Sequence, residues 1–370
     1  MKILVLIKRG FFCYFWKYFV CFYVMLAETL EQKKMKIRIV CIIALISILS
    51  SCQNTLNESL AGKMSDTALL FCSAGENKPM DLLDFNESEM SKGNTSMSSA
   101  NNQPIYGVLK GLVVGMNGIG YCLTSSPDAM AAVEMERYKV IETSLISELS
   151  SPQGLTLSGN TIYILNDGDA ATGPYISVYD VVGSNYTFKY HTKIMCKDGR
   201  MGNSIQVIGE YCYVGTDSGI DVYELSSGTY SRTIDTPAAV LDFLTDDSSL
   251  IVSLRDFGIG IYDTTIEMFT MMVEFPIGEK GQLVFGKDQL EVLAYSDSAV
   301  FSVNIMDGEY DVLFTGENIS GVERSDFTRN LFVANKGGTN QIVLNVAGEI
   351  LVNFTAPEGE YVYVFVKKQQ

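Results

Sequence analysis

One histidine and one tryptophan occur in 370 residues. With His191 as the sole imidazole, a histidine-cluster metal site is excluded, and any Ser-His-Asp or Cys-His arrangement would have to use this one residue. Its setting, a strand-like stretch, marks it as a surface strand residue. The tryptophan, Trp16, lies in the first segment of the chain. No Cys-x-x-Cys pair is found among the eight cysteines, which removes zinc and thioredoxin-type readings. Charged residues make up only 19%, and long amphipathic helical patterns are scarce. Hydrophobic residues reach 47%, with 32 glycines and 20 tyrosines, a balance that points to turn-rich β structure. Positive charge is also short. The net charge is -16, and residues 1–51 hold eight of the basic residues and two of the acids, leaving 19 basic against 41 acidic residues. So acidic a body repels phosphate backbones, which excludes nucleic acid as a partner.

Basic and apolar residues concentrate before residue 52. Met35 to Cys52 reads MKIRIVCIIALISILSSC, with Lys36 and Arg38 as the charged region and Ile39 to Leu49 as the apolar run. This is secretory signal anatomy, too short for a comfortable membrane span. It resembles the bacterial lipoprotein signal, in which an aliphatic residue and two small ones precede an invariant cysteine; Leu49, Ser50 and Ser51 match that box and Cys52 its end. The resemblance implies cleavage before Cys52, lipid on its thiol and its new amino group, and a membrane tether through those chains. Gln53 at the second mature position implies the outer membrane. The expected organisation is an upstream extension over 1–34 with translation beginning at Met35, a signal peptide over 35–51, a tether over 52–66 and a folded domain over 67–370. The alternative is a transmembrane anchor from Phe11 to Ala27, interrupted by Lys17.

The rest of the chain repeats. TDSGIDVYE (Thr216–Glu224) returns 39 residues later as RDFGIGIYD (Arg255–Asp263). Apolar strands centred on Leu70, Tyr121, Tyr163, Tyr213, Val252, Leu293 and Val333 follow one another at 51, 42, 50, 39, 41 and 40 residues. Each precedes a tight turn and a second strand, and some units continue into a third, such as YTFKYHTKI (186–194). A period near 40 with three or four short strands per unit is the mark of β-propeller blades. The fold expected is all-β, a propeller of seven blades, with six as the alternative if residues 53–104 are a loose tether. The orphan strand EYVYVFVKK (Glu360–Lys368) is expected to pair into the first unit and close the ring.

Motifs for chemistry are sparse. GMNGIG (Gly115–Gly120) precedes a strand, so it reads as a hairpin turn and not a phosphate loop. Past Cys52, Cys122 and Cys212 read as small core hydrophobes; Cys196 with Cys212 is also a candidate disulfide in an oxidising compartment, and Cys72 remains unassigned. NDGDAATG (Asn166–Gly173) brings Asn166, Asp167 and Asp169 into one turn, enough oxygens to begin a calcium site but without the spacing or distal Glu of a calcium loop. No metal and no cofactor are therefore expected, calcium at that turn being the alternative. Asp167, Asp217, Asp256 and Asp297 recur at the hairpin corners and should share one rim. They read as turn residues, and together with Asp169 as the candidate ligand or cation face.

The blade text GNTIYILND…ISVYD (Gly159–Asp180) and YCYVGTDSGIDVYE (Tyr211–Glu224) resembles the YVTN/YncE-like propellers over roughly residues 105–350. Joined to the lipobox, the whole is similar to surface-lipoprotein propellers of Bacteroidota, some of which partner outer-membrane transporters. Asp66-Thr67-Ala68, Asp263-Thr264-Thr265 and Asp297-Ser298-Ala299 match the O-glycosylation pattern of that phylum. The resemblance implies a non-catalytic binding module for a nutrient, glycan or partner protein, beside a TonB-dependent transporter. The alternative is a lactonase- or lyase-like enzyme with a central metal held by the corner acids Asp167, Asp217, Asp256 and Asp297.

Overall fold

The computed structural model describes the chain from Asp66 to Lys367, apart from residues 74, 77, 87–90, 93–103, 136–138, 247, 287–289, 326–327, 338–340 and 356–359, and gives the backbone alone for the first three strands and the last. The chain divides into two compact units, Met1–Lys63 and Met64–Gln370, and the described residues all belong to the second. Leu49, Ser50, Ser51 and Cys52, with the signal and the upstream extension, lie outside the described residues.

Among the described residues, twenty-eight strands follow in chain order. β1 (Asp66–Ser73), β2 (Asp81–Asn86) and β3 (Ser91–Lys92) come first. β4 (Val108–Val114), β5 (Ile119–Ser125), β6 (Ala129–Glu134) and β7 (Lys139–Leu145) make one antiparallel sheet. β8 (Pro152–Ser158), β9 (Thr161–Asn166), β10 (Tyr175–Val182) and β11 (Thr187–Met195) make the next, followed by β12 (Gly202–Ile208), β13 (Tyr211–Thr216), β14 (Gly219–Glu224) and β15 (Thr229–Ile234). Then come β16 (Val240–Asp246), β17 (Ser249–Leu254), β18 (Gly258–Asp263) and β19 (Met268–Glu274). β20 (Gln282–Phe285), β21 (Glu291–Tyr295), β22 (Ala299–Asn304) and β23 (Tyr310–Thr315) precede β24 (Ile319–Arg324), β25 (Leu331–Asn335), β26 (Gln341–Leu344) and β27 (Ile350–Phe354). β28 (Glu360–Lys367) is the last.

These sheets form a β-propeller. Six blades are each woven from one unbroken stretch of chain, the number of the alternative count. A further four-stranded sheet is composite, in the order β28-β1-β2-β3. In it β28 pairs antiparallel with β1 from Asp66↔Lys367 to Ser73↔Glu360, so the C-terminal strand supplies the innermost place that the first unit lacks. The first strand of each blade meets its counterparts on either side, and β28 lies between β24 and β4, closing the circle. Of residues 53–104, the loose tether of the six-blade alternative, the described part holds β1, β2 and β3.

Hydrophobic burial runs between blades and not within one. Leu165, Ile176 and Val178 of one blade pack with Ile205, Cys212 and Val214 of the next. Tyr213, Ile220 and Val222 pack with Phe243, Leu250 and Val252 in turn. Middle strands therefore bury both faces, as in β14 and β18, where every residue but the last is buried. Outer strands such as β11 are mostly exposed. His191 is the extra residue of a β-bulge in β11, between the pairs Val178↔Thr192 and Tyr179↔Tyr190. It points outward, 60% exposed, with Nδ1 3.3 Å from Asp180. The repeated tyrosine fills the space between blades. Tyr179, Tyr223 and Tyr262 are buried and meet Tyr190, Tyr230 and Phe269 edge-on at 5.6, 6.0 and 5.2 Å. The acid after it caps the next turn; Asp263 Oδ1, for example, accepts the Thr265 N–H at 2.7 Å.

The candidate disulfide is not formed. Cys196 and Cys212 are free thiols buried in one inter-blade cluster, where both act as small hydrophobes. Burial pushes the Cys196 thiol up to about 12 and raises that of Cys212 as well. Cys122 is equally buried and free. The side chain of Cys72 lies outside the described residues.

The two corners that opened the repeat differ in length. Thr216 pairs with Gly219 across a two-residue turn, Asp217–Ser218. Leu254 pairs with Gly258 across three residues, and the middle one, Asp256, is left-handed at φ 54. Asp and Asn tolerate that region far better than β-branched residues. Replacing Asp256 by Gly is expected to change stability by a few tenths of a kcal/mol at most, and by Val to cost about 1–2 kcal/mol. Urea unfolding of both variants checks this, and equal effects would contradict a conformational role.

Candidate functional site

Antiparallel strands return each hairpin corner between the second and third strands of a blade to the end of the ring at which the first strand starts. At that end five of the inner strands carry a β-bulge in their first turn of pairing, with Lys110, Gln153, Asn203, Leu241 and Ser320 as the extra residues. A bulge re-aims one side chain out of the ladder. Three of the five, Gln153, Asn203 and Leu241, line a cavity of about 450 Å³ at this end, together with Asp167, Arg255 and Gln282. The rim adds Glu279 and Lys280, both exposed.

The mouth is assembled from a repeated two-residue unit, a bulged residue and the corner residue fourteen positions on. Gln153 Nε2 donates to Asp167 Oδ2 at 2.7 Å, and Asn203 Nδ2 donates to Asp217 Oδ1 at 3.3 Å. In the following blade the same pair of places holds Leu241 and Arg255. Arg255 Nη2 reaches back to Asp217 Oδ1 at 3.1 Å, joining two corners. Asp217 is 72% exposed, so this pair orients side chains more than it stabilises the fold. Burial raises the Asp167 carboxyl above its usual range, and the Gln153 hydrogen bond opposes that rise.

The five candidate acids take different places. Asp167 lines the cavity, and Asp217 stands beside it through Asn203 and Arg255. Asp256 and Asp297 are exposed corner residues whose backbones stitch the rim, Asp256 N–H to Gly278 O and Ile319 N–H to Asp297 O. Register puts Arg255 and Ser296, each the first residue after its strand, in the place that Asp167 and Asp217 occupy. Asp169 folds back on its own turn, where Oδ1 accepts the N–H groups of Ala171 and Thr172 at 2.9 and 2.7 Å; hydrogen bonds from Thr172 and Ala171 hold its carboxyl low. Asn166 is fully buried, donating to Ser177 Oγ and accepting from Ser150 N–H. The three oxygens of the NDGDAATG turn thus face three directions. Among the described residues no three His, Cys, Asp or Glu side chains come close enough to hold a metal. GMNGIG is the β4–β5 hairpin turn, with Gly118 at φ 76. It borders a second cavity of about 550 Å³ at the opposite end of the ring, with Tyr121, Thr156 and Gln206.

One inner-strand position carries a further acid. After the bulge, the place held by Gly111, Gly154, Ser204 and Gly321 in other blades holds Asp242 in β16. The position abuts the next blade: a Cβ on Gly111 would meet Leu155 Cδ2 at 2.3 Å. Asp242 uses that proximity, its Oδ2 accepting the Leu283 N–H of β20 at 2.9 Å. Burial pushes its carboxyl up to about 6, against the pull of the Leu283 and Phe243 N–H groups.

No protein-family model and no curated protein matches the sequence. Among solved structures, the chain is similar to the computationally designed Ika8 protein, at 12% identity and a TM-score of 0.49 over 68% of this chain and 76% of that one.

A carboxyl that binds its proton more tightly folded than unfolded favours the folded state at low pH. Its contribution is complete below the unfolded value near 4 and is lost as pH rises through about 6. Asp242→Asn keeps an acceptor for Leu283 without the charge. Its stability relative to the parent is expected to improve between pH 4 and 7 by up to about 3 kcal/mol. Urea titrations at several pH values measure this, and a difference independent of pH would refute it.

Proposed function

We propose that the chain is an outer-membrane or cell-surface lipoprotein, tethered through lipid on Cys52, whose propeller binds a ligand without transforming it. The observation that carries the binding role is the channel mouth. There, bulges turn amide side chains out of the inner strands and hold them against corner carboxylates around a cavity of ligand size. Fixed, polar and concave, it suits recognition of a small polar nutrient or the polar end of a larger partner. The tether rests on the sequence Met35 to Cys52, and the resemblance to YVTN/YncE-like propellers of Bacteroidota surface lipoproteins supports a TonB-dependent transporter as the partner.

A metal-dependent lactonase- or lyase-like enzyme would need Asp167, Asp217, Asp256 and Asp297 to converge on one ion. The mouth favours the binder: Arg255 holds a corner place and pairs with Asp217, and Asp256 and Asp297 are exposed to solvent. A cation next to a guanidinium is disfavoured by like charge.

Two measurements test this reading. The native protein is expected in the membrane fraction with a lipid-modified N-terminus at Cys52 by intact mass, and the Cys52→Ser variant is expected to leave that fraction; residues 1–34 retained in the mature protein would sink it. Metal analysis of the purified full chain is expected to find no stoichiometric divalent ion, whereas one ion per chain lost in Asp167→Asn would favour the enzyme.

A further inference from the structure

The channel mouth carries both signs of charge at opposite ends of its arc. One end belongs to the blade of β8 to β11. There Asp167 is half-buried and takes its side-chain hydrogen bond from the neutral amide of Gln153; among the described residues no cation lies within ion-pair distance of it. A carboxylate so placed has given up water for a neutral amide, with the Lys110 ammonium acting on it only through its field, and a charged donor at hydrogen-bond distance completes its shell. The other end lies two and three blades further round. Arg255 spends Nη2 on Asp217, keeps 41% of its side chain exposed, and among the described residues its fork has no other hydrogen-bond partner. Lys280 lies beside it on the rim, exposed and in no ion pair with the described residues, with Glu279 as its neighbour in sequence. Between the ends stand the amide of Asn203 and the side chain of Leu241, with the Asp217 carboxylate tied to Asn203 and Arg255, and the neutral amide of Gln282 joins Lys280 at the far end.

Three ligand chemistries can be weighed against this layout. An anion alone leaves Asp167 facing it. A metal ion alone meets Arg255 and Lys280. A neutral polyol satisfies the amides and uses neither charge. We infer that the mouth takes a small zwitterion with a free ammonium and a free carboxylate, the chemistry of an amino acid or a short peptide, with its ammonium at Asp167 and Gln153 and its carboxylate at Arg255 and Lys280. The assignment rests on the binding role proposed above and names the class of ligand for that site. Arg255 offers a planar fork to a carboxylate, which Lys280 can reinforce only as a point charge. Leu241 gives an apolar floor midway, where a side chain or a peptide Cα would lie.

The test is calorimetric titration of the full chain in detergent with alanine, trialanine, N-acetyl-trialanine, trialanine amide and maltotriose, a neutral polyol. Trialanine is expected to bind, and capping either end to weaken it about tenfold or more, as loss of one charged hydrogen bond does. Asp167→Asn should abolish the penalty for acetylating the amine, and Arg255→Gln the penalty for amidating the carboxylate. Alanine binding as tightly as trialanine assigns the site to free amino acids; trialanine binding alone assigns it to peptides. Both agree with the inference. Asp167→Asn keeps the shape and the acceptor for Gln153, and Gln153→Ala serves as a second variant at the same end should the first lower the melting temperature. Equal affinity for free and capped peptides overturns the zwitterion. So does maltotriose binding that Asp167→Asn and Arg255→Gln weaken, though the binding role then stands. No heat from any member of the series overturns both.

Discussion

Burial between neighbouring blades is the constraint on which this molecule depends. A four-stranded sheet with two apolar faces cannot stay folded in water by itself, and each large apolar side chain taken from water into such a core contributes about 1.5–3 kcal/mol. The second and third strands of a blade are buried on both faces, so every blade needs a neighbour on each side. A linear stack would leave two apolar faces and a closed ring leaves none. The ring is closed by strands from the two ends of the folded unit, β28 beside β1, which ties the last blade to the first by a ladder of backbone hydrogen bonds.

Radial packing also dictates where the chain breaks its own regularity. Inner strands converge near the axis while outer strands spread, so each blade must twist strongly. Bulges supply that twist, and each continuous blade has one where its outer strand pairs with the third. The outer bulges place residues such as His191 at the perimeter, where they meet solvent. The inner ones fall at the channel mouth. A device required for packing therefore presents a ring of re-aimed side chains at one end of the axis, and selection of those side chains leaves the core untouched.

Much of the fold could be read from the sequence because the inter-blade core demands it. Units of about 40 residues, the hairpin pairs and the orphan strand Glu360–Lys368 as the closing strand all follow from apolar runs separated by turns, and those runs have to be there. The mouth was only half legible. Asp167 and Asp217 were visible as corner acids, since turns announce themselves through Asp and Gly. Gln153, Asn203 and Leu241 were not, because a bulged residue looks like any other strand residue until its partner strand skips it. Only a spacing was available, fourteen residues from Gln153 to Asp167, Asn203 to Asp217 and Leu241 to Arg255. The two corners keep their Asp and Gly at the same 39-residue spacing, so the longer turn at Arg255–Phe257 leaves no mark in the sequence, nor does the place of Arg255 where Asp217 stands.

TDSGIDVYE and RDFGIGIYD thus look alike for two separate reasons. Their shared Gly-Ile and Tyr-acid steps serve the ring: the glycine opens the third strand, the tyrosine fills the inter-blade core, and the acid caps the next turn. Their shared Asp does not have one role. In the first it is the corner residue that Asn203 and Arg255 hold at the mouth; in the second it is the left-handed residue of a longer loop, displaced from the mouth by an arginine of opposite charge. Repetition preserved the turn and left the charge free to change sign between neighbouring blades. An uncharged or uniformly acidic rim would follow if turn formation alone governed these positions. The reversal at Arg255, against the bulk of an acidic protein, is in keeping with the binding role proposed for the mouth.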